Sequence, residues 1–427
     1  MRAMKDSGVE WIGEIPAEWE VSRIKQLFSE VNERCDDSSQ YTLLSVSEYY
    51  GVEPKSQKIS ADDMLTHAES LDGYKICQSN DIVMNIMLAW KKALGFSKYD
   101  GIVSPAYCVY RAKIDMDVRY FHYLFRTQRY ADVFKQYSTG IIDSRLRLYS
   151  DKFFSLKCQV PPVCVQKRIA DYLDEKCSKI DAVIEKQQAV IEKLKAYKLS
   201  AITEAVTKGV NLDVEMKDSG IEWLGAIPAH WEFIRMKNCC DIVDCKNRTP
   251  ELIPEGEYTV IRTTCIRDGK FSYEGSYQTD KENYKAWIEK GKPQYGDVFF
   301  TREAPMGEAC LVPKADNICM GQRVMYFRPN KVTDSRFILY SIYGSVIREY
   351  IESKNKGSTV GHLKLGQVAN LPVLYCPYEE QKQITDFLDN KCSSIENVIT
   401  KKKAIIDKLT DYKKSLIYEI VTGKKEV

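Results

Sequence analysis

Two segments of this chain occur twice in the same order, and this duplication constrains the fold more than any other feature. Residues 4–25 and 216–237 are identical at 15 of 22 positions, and both carry the pattern DSG-x-EW-x-G-x-IP-x-x-W. Residues 166–207 and 381–422 are identical at 24 of 42 positions. The sequences between these matches resemble each other far less. The period is much longer than that of a solenoid repeat, so it indicates a duplicated domain.

Each long repeat is predicted to form one helix, because it lacks Gly and Pro and is rich in Lys, Glu, Ile and Leu. Positions at a 3-4 spacing form a seam of the kind that pairs helices into a coiled coil. The alternative is an amphipathic helix packed on a globular core, but two matched seams favour mutual pairing. The seams comprise Ala170, Leu173, Cys177, Ile180, Ile184, Gln187, Ile191, Leu194, Lys198 and Ala201, and Thr385, Leu388, Cys392, Ile395, Ile399, Lys402, Ile406, Leu409, Lys413 and Leu416.

Charge placement predicts the direction of this pairing. In a parallel pair Lys198 would meet Lys413 at a core position, which is repulsive. An antiparallel pair places Gln187 beside Lys402 at the midpoint, where a polar pair can fix the register. It also places each lysine near the acidic first third of the other helix, namely Asp171, Asp174 and Glu175 or Asp386 and Asp389. We therefore expect antiparallel packing, although acid-first order also suits the helix dipole.

The variable blocks, about 22–165 and 234–380, carry short strand-like runs and then a helical pattern. Since each block enters its helix at the N-terminal end, antiparallel helices would hold the blocks apart. We expect an α+β fold: two similar mixed α/β domains separated by two long helices that form an antiparallel coiled coil, with an approximate two-fold axis. The expected boundaries are 1–165, 166–210, 211–380 and 381–427. The predicted strands are 41–46, 81–84, 107–111, 258–263, 297–301 and 324–328, and the helical patterns are 118–136 and 334–351.

Composition excludes several classes of protein. The formal net charge is +2, with 62 basic and 60 acidic residues, so the chain is no polycation, although a local basic face would suffice to bind nucleic acid. No apolar run is long enough for a membrane span and no apolar signal segment begins the chain, so we expect a cytoplasmic protein. The tightest cysteine cluster is Cys239, Cys240 and Cys245, without a C-x-x-C pair. We expect reduced thiols and no metal site.

Motifs for catalysis are missing. The sequence contains no GxxxxGK[ST] loop, no GxGxxG after a strand, no [DN]PP[FY] and no HExxH. This favours a binding subunit over an enzyme. Basic side chains are then the candidate DNA contacts, since lysine binds phosphates and arginine can also recognise guanine. The alternative for each is a solvated lysine or an ion-paired arginine. The candidates are Lys91, Lys92, Arg145, Arg147, Arg262, Arg267, Arg302, Arg323 and Lys364.

The repeated motifs DSGVEWIGEIPAEWE and DSGIEWLGAIPAHWE, and the helices starting QKRIADYLDEKCSKID and QKQITDFLDNKCSSIE, resemble the specificity (S) subunit of type I restriction-modification systems. The resemblance covers the whole chain in order. It implies two target-recognition domains, each of which reads one half of a split, asymmetric site in double-stranded DNA. The helices would set the unread gap and dock two methyltransferase (M) subunits. Restriction (R) subunits would complete the assembly, and the C-terminal tail would lie near the first DSG motif.

The same resemblance implies that this chain is not itself catalytic and binds no cofactor. S-adenosylmethionine, ATP and Mg would belong to the partner subunits. Two other hypotheses remain open from the sequence: a stand-alone DNA-modifying enzyme with an unrecognised site, and a coiled-coil scaffold for proteins. We expect the repeated tryptophans, Trp11, Trp19, Trp223 and Trp231, to pack the linkers onto the helix ends rather than to form a docking surface.

Overall fold

The computed structural model describes residues 2–55, 71–211, 213–246, 248–355 and 361–427. The chain divides into two compact units. Unit 1 comprises Met1–Gln187 and Lys403–Val427, and unit 2 comprises Gln188–Lys402. Each unit therefore contains one short repeat, one variable block and a segment of each long repeat.

In unit 1 the short repeat forms a hairpin, the variable block forms small sheets and helices, and a long helix follows that continues into unit 2. The elements are β1 (Met4–Asp6), β2 (Glu14–Pro16), β3 (Glu20–Arg23), α1 (Ile24–Leu27), β4 (Phe28–Val31), β5 (Leu44–Ser47), β6 (Gly51–Pro54), β7 (Lys75–Cys77), β8 (Ile82–Asn85), β9 (Leu94–Phe96), β10 (Gly101–Val103), β11 (Tyr107–Ala112), α2 (Val118–Phe125), α3 (Gln128–Tyr137), α4 (Ser150–Ser155), β12 (Lys157–Val160) and α5 (Val163–Lys208).

Unit 2 has the same general order, with additional short strands and a helix between residues 243 and 298. Its elements are β13 (Met216–Asp218), β14 (Ala226–Pro228), β15 (Glu232–Arg235), α6 (Met236–Cys239), β16 (Cys240–Val243), β17 (Tyr258–Ile261), β18 (Ile266–Arg267), β19 (Lys270–Phe271), β20 (Tyr277–Thr279), α7 (Lys281–Trp287), β21 (Val298–Thr301), β22 (Ala309–Leu311), β23 (Ile318–Met320), β24 (Val324–Pro329), α8 (Ser335–Tyr343), α9 (Ser345–Asn355), α10 (Leu365–Ala369), β25 (Pro372–Tyr375) and α11 (Tyr378–Val421).

A four-stranded antiparallel sheet forms the centre of each unit. Its strand order is β4-β11-β8-β9 in unit 1 and β16-β24-β21-β22 in unit 2. The registers also match, because Tyr107 pairs with Asn85 in unit 1 and Val324 pairs with Thr301 in unit 2. The prediction of two similar mixed domains is confirmed, and the matched registers allow positions in one unit to be equated with positions in the other.

The helical pattern of each block is interrupted once. In unit 1 it divides into α2 and α3 at Thr127, whose hydroxyl donates to the Leu124 carbonyl at 2.8 Å and caps α3. In unit 2 the break between α8 and α9 falls at Gly344. A threonine N-cap starts a new helix and a glycine weakens helical structure, so each favours an interruption of the helix at its position.

The long helices begin three residues before the predicted starts at 166 and 381. Pro162 and Pro377 lie immediately before this first turn, and their carbonyls accept hydrogen bonds from Gln166 at 3.0 Å and Gln381 at 3.0 Å. Proline is well tolerated there, because the first helical N–H groups have no intrahelical acceptor. The domain boundaries drawn at 165 and 380 therefore fall inside the first turn of each helix.

Within each unit the two long-helix segments run antiparallel, as predicted. In unit 1, Lys413 pairs with Asp181 at 2.7 Å, while the Val421 carbonyl lies 3.4 Å from the Gln159 amide, before α5 begins. In unit 2, Lys198 pairs with Glu396 at 2.6 Å. Further along, Gly209 just after the end of α5 lies against the Glu380 side chain in the first turn of α11, so the partner residue number falls as the α5 number rises. The approximate two-fold axis stays a prediction.

The predicted acidic partners of Lys198 and Lys413 were wrong by one or more helical turns. An arginine on α2 in unit 1, and one on α8 in unit 2, binds the acidic residues near the start of the long helix. Arg119 pairs with Asp171 and Asp174 at 2.8 Å, and Arg336 pairs in the same way with Asp386 at 2.8 Å and Asp389 at 2.7 Å. These carboxylates anchor the block to its helix, and the two lysines bind acidic residues further along.

The repeated tryptophans pack as expected with one exception. Trp19 and Trp231 are fully buried, and Trp11 packs edge-on against Tyr130 with a centroid distance of 5.0 Å. Trp223 is instead 53% exposed. Gly209 and Gly423 follow the last residues of α5 and α11, both have positive φ, and they lie against Trp231 and Trp19 respectively. The C-terminal tail thus packs on the first DSG motif region, in unit 1, as the resemblance implied.

All fourteen cysteines are free thiols, and all except Cys164 are buried. Burial raises the pKa of several of them, to about 12 for Cys77 and Cys310. In the part of the chain that is described, no helix has the length and apolar character needed to cross a membrane.

Candidate DNA-binding surfaces

Three segments meet at one end of the central sheet in each unit. The first segment follows β8 in unit 1 and β21 in unit 2, and it starts at Ile86 and Arg302 respectively. The second segment precedes β11 in unit 1 and β24 in unit 2. The third is joined to the first by a backbone hydrogen bond, from Leu148 to Ile86 at 2.9 Å in unit 1 and from Leu363 to Arg302 at 3.1 Å in unit 2. We call this place the strand-end site, defined by residues 86–87, 106 and 147 in unit 1 and 302–303, 323 and 362 in unit 2.

In unit 1 an aromatic ring lies beside one predicted cation, Lys91, and one lysine that was not predicted, Lys135. The Trp90 ring has the Lys91 ammonium 5.2 Å and the Lys135 ammonium 4.8 Å from its centroid. Lys135 also pairs with Asp143 at 2.9 Å, which ties the loop that carries Arg145 to this surface.

That loop is closed by two backbone hydrogen bonds between Thr139 and Arg147, of 2.8 and 2.9 Å. Arg145 is exposed and Arg147 is half-buried, and the neighbouring Ile141 is fully exposed. The structure thus brings Lys91, Arg145 and Arg147 to one end of unit 1.

Lys92 differs from Lys91. It adopts a left-handed backbone conformation, and its ammonium is half-buried, which lowers its pKa together with the nearby charges of Lys414 and Arg126. It therefore lies towards α11 rather than beside Trp90.

A buried arginine supports the same end of unit 1. The Arg126 guanidinium donates to the carbonyls of Glu48 at 3.0 Å, Tyr49 at 2.9 Å, Lys92 at 2.7 Å and Leu94 at 2.7 Å. Burial lowers its pKa to about 10. The arginine holds two loops together through their backbones, so it fixes the position of the turn that carries Lys91.

In unit 2 the strand-end site is strongly polar. Arg323 forms an ion pair with Glu303, and the imidazole of His362 lies 3.5 Å from the same carboxylate. Arg302 is only 7% exposed and pairs with Asp244 at 3.4 Å. This burial argues against the predicted DNA contact by Arg302. Its side chain instead connects the segment after β21 to Asp244.

The other predicted cations of unit 2 are divided between two places. Arg262 follows Ile261, whose carbonyl binds the Gly321 amide at 2.8 Å, so it lies near the strand-end site, as does Lys364 after Leu363. Both are exposed. Arg267 lies on the β18–β19 hairpin, where Lys270 pairs with Glu396 of α11. Arg267 is therefore attached to the helix side of the unit.

Several residues that form these sites were not among the predicted candidates. Glu303, His362 and Arg126 belong to no recognisable motif, and Trp90, which directly precedes Lys91, was not predicted as a site residue. The signal that could have found Glu303 is its position directly after a predicted strand, beside Arg302. The register residues Gln187 and Lys402 lie near the middle of α5 and α11, and their pairing stays a prediction. No cluster of metal-binding side chains occurs among the described residues.

Comparison with known proteins gives consistent matches. Residues 228–408 match the sequence model of a family described as the type I restriction modification DNA specificity domain. The putative type I restriction enzyme MjaX specificity subunit of Methanocaldococcus jannaschii is 22% identical over 97% of this chain and 96% of its own length. The MjaVIII specificity subunit of the same organism is 24% identical over 64% of this chain and 63% of its own length.

Two solved structures share the fold. A chain from a structural study of complex assembly and conformational transition in the type I R-M system has a TM-score of 0.69 at 15% identity, over 95% of this chain and 98% of that one. The HsdS subunit from Thermoanaerobacter tengcongensis has a TM-score of 0.50 at 14% identity, over 98% of this chain and all of that one. The chain is therefore similar to type I specificity subunits in sequence and in fold, and the family-model match covers residues 228–408.

Proposed function

We propose that this chain is the DNA-recognition subunit of a type I restriction-modification complex and that each unit reads one half of a bipartite, asymmetric DNA site. One observation carries the proposal: the two units share one fold and one sheet register but present different side chains at the strand-end site. Met87 and Ala106 occupy the places that Glu303 and Arg323 occupy in unit 2. A shared scaffold with unequal contact residues is what recognition of two different half-sites requires.

The exposed cations support contact with DNA. Lys91, Arg145, Arg262 and Lys364 surround the two strand-end sites without a carboxylate partner among the described residues. Such cations contribute salt-dependent affinity by neutralising phosphates. Bases would then be distinguished by the side chains at the centre of each site.

The proposal assigns the chemistry to partner subunits. Methyl transfer would be carried out by methyltransferase subunits that bind S-adenosylmethionine, and cleavage by restriction subunits that use ATP and Mg. The present chain would be non-catalytic and would hold these subunits on the chosen DNA site. The names of the relatives, which are specificity subunits, support this division.

The proposal also gives the long helices a role. α5 is one uninterrupted helix that begins in unit 1 and ends in unit 2, and α11 connects the units in the reverse order. A continuous helix transmits a fixed distance, about 1.5 Å per residue, along its length. We propose that the helix pair sets the length of the unread gap between the half-sites.

The test is to assemble the chain with the methyltransferase subunit of its own system and to map methylated adenines over a whole genome. The proposal predicts one motif made of two short specified halves separated by a fixed unspecified gap. A continuous motif would contradict it. Methyl transfer or cleavage by the isolated chain would instead favour a stand-alone enzyme, and binding of the assembled complex that is insensitive to salt and to DNA sequence would favour a scaffold.

A further inference from the structure

The backbone of Arg323 is held in an unusual conformation at the strand-end site of unit 2. Its φ is +73°, in the left-handed region that arginine seldom adopts. Two neighbours hold it there: the Arg323 amide donates to the Cys245 thiol at 3.2 Å, and its carbonyl accepts from the Arg302 amide at 3.1 Å. Strained residues that their surroundings fix in this way are concentrated at functional sites.

The side chain of Arg323 is positioned as firmly as its backbone. Glu303 pairs with the guanidinium through Nε, and the other oxygen of that carboxylate faces His362 Nδ1 at 3.5 Å. The side chains of Arg323 and His362 are 43% and 42% exposed, whereas that of Glu303 is only 17% exposed. The carboxylate thus lies beneath the two exposed groups. No described residue accepts a hydrogen bond from the two terminal nitrogens of this guanidinium, so both can donate to a ligand.

Glu303 is itself fixed from two directions. It directly follows Arg302, whose carbonyl accepts from Leu363 in the segment that carries His362. Arg302 in turn pairs with Asp244, next to Cys245. Four chain segments therefore meet around the Arg323 guanidinium, namely 244–245, 302–303, 323 and 362–363. Recognition of a planar ligand by a guanidinium requires this kind of preorganisation.

The fold does not need this cluster. The equivalent positions in unit 1 carry Met87, Ala106 and Arg147, and the same sheet forms with the same register. Partly exposed ion pairs also contribute little to stability. A group of residues that differs between two otherwise matched domains, and that the scaffold can lack, is explained by a difference in what the domains bind.

We propose that Arg323 recognises a guanine in the half-site read by unit 2, donating from its two terminal nitrogens to guanine O6 and N7, and that Glu303 and His362 are positioning residues for this contact. The inference rests on the proposed function. The fork geometry of arginine matches those two acceptors in the major groove. Unit 1 would lack such a guanine contact at the matching place, because Met87 and Ala106 have no side-chain donor.

The experiment measures the base preference of the assembled complex on a randomised library of the half-site, for the wild type and for Arg323→Lys, Arg323→Gln and Glu303→Gln. Both Arg323 variants should lose about tenfold to a hundredfold of the preference for guanine at one position. Glu303→Gln should weaken the preference at that same position by a smaller factor. The half-site read by unit 1 should be unchanged and serves as an internal control for folding.

Lys364→Ala is the matched control, since it removes an exposed cation from the same region. It should weaken binding to all sequences alike and leave the base preference intact, as expected for a phosphate contact. Unchanged guanine preference in the Arg323 variants, or a Glu303→Gln effect at a different position, would overturn the inference. If the wild type itself shows no bipartite preference, the proposed function has failed, and the two failures are thus distinguished.

Discussion

Glu380→Ala is predicted to destabilise unit 2 by about 2 kcal/mol, because it removes the hydrogen-bond acceptor of a fully buried indole. The Trp231 Nε1–H donates to the Glu380 carboxylate at 3.1 Å, and the other carboxylate oxygen binds His230 at 2.8 Å. His230 is exposed and can bind water instead. Trp231 has no such replacement. The expected loss is that of a buried donor left without a partner, about 1–3 kcal/mol.

The chain provides two comparisons for this substitution. Glu379→Ala removes the same charge from the same helical turn, but that side chain is 80% exposed, so the loss should stay within about 0.5 kcal/mol. Unit 1 naturally lacks this hydrogen bond. Val165 occupies the position equivalent to Glu380, and the buried Trp19 Nε1 has no hydrogen-bond partner among the described residues.

Guanidinium unfolding followed by tryptophan fluorescence, with hydrogen exchange of peptides around Trp231, measures the effect. At a slope of about 4 kcal/mol per molar, the midpoint for unit 2 should fall by about 0.5 M. Faster exchange should be confined to unit 2. Equal midpoints for Glu380→Ala and Glu379→Ala would contradict this prediction, because the hydrogen bond would then contribute nothing beyond an exposed charge.

Three further perturbations follow from the structure. Arg126→Lys should destabilise unit 1 by about 3 kcal/mol, because lysine has too few donors for the carbonyls that Arg126 binds. The loops at 47–49 and 92–94 should then exchange their amide hydrogens faster, and unchanged exchange there would contradict this role. Burial alone would raise the pKa of Glu396, but its ion pairs with Lys198 and Lys270 lower it below 4.5. The folded state therefore binds the Glu396 proton less tightly than the unfolded state, so the free energy of unfolding should fall as the pH drops below about 4.5. This fall should be less steep in Glu396→Gln. Parallel plots of unfolding free energy against pH for the two proteins would contradict the prediction. Insertion of seven residues at the middle of each long helix preserves the seam and should lengthen the unread gap by about three base pairs, at about 1.5 Å per residue and about 3.4 Å per base pair. Both half-sites should stay unchanged, and a changed half-site would count against the spacer role.

Much of the architecture was predictable because the duplication imposes it. Several repeated residues occupy matching environments: Trp19 and Trp231 are both buried, and Arg119 and Arg336 both anchor a block to its helix. The antiparallel direction also followed from the sequence, since a seam that carries lysine near one end disfavours a parallel partner. These features depend on patterns that are local or that occur twice.

The parts that were not predictable depend on contacts between distant segments. The acidic residues near the helix starts bind Arg119 and Arg336 rather than the seam lysines, and only the tertiary packing decides between these partners. Arg302 was expected at the surface, but the Asp244 carboxylate and its burial remove it from there. Glu303 and His362 lie far apart in sequence and meet only because the strand-end segments converge.

Methylation mapping of an exchange variant shows whether each unit reads its own half-site. Residues 22–165 are replaced by the matching block of another specificity subunit, and the variant is assembled with its methyltransferase partner. We expect one half of the methylated motif to change while the other half and the gap stay as in the wild type. A motif that changes in both halves, or in neither, would show that the two units do not read separate half-sites.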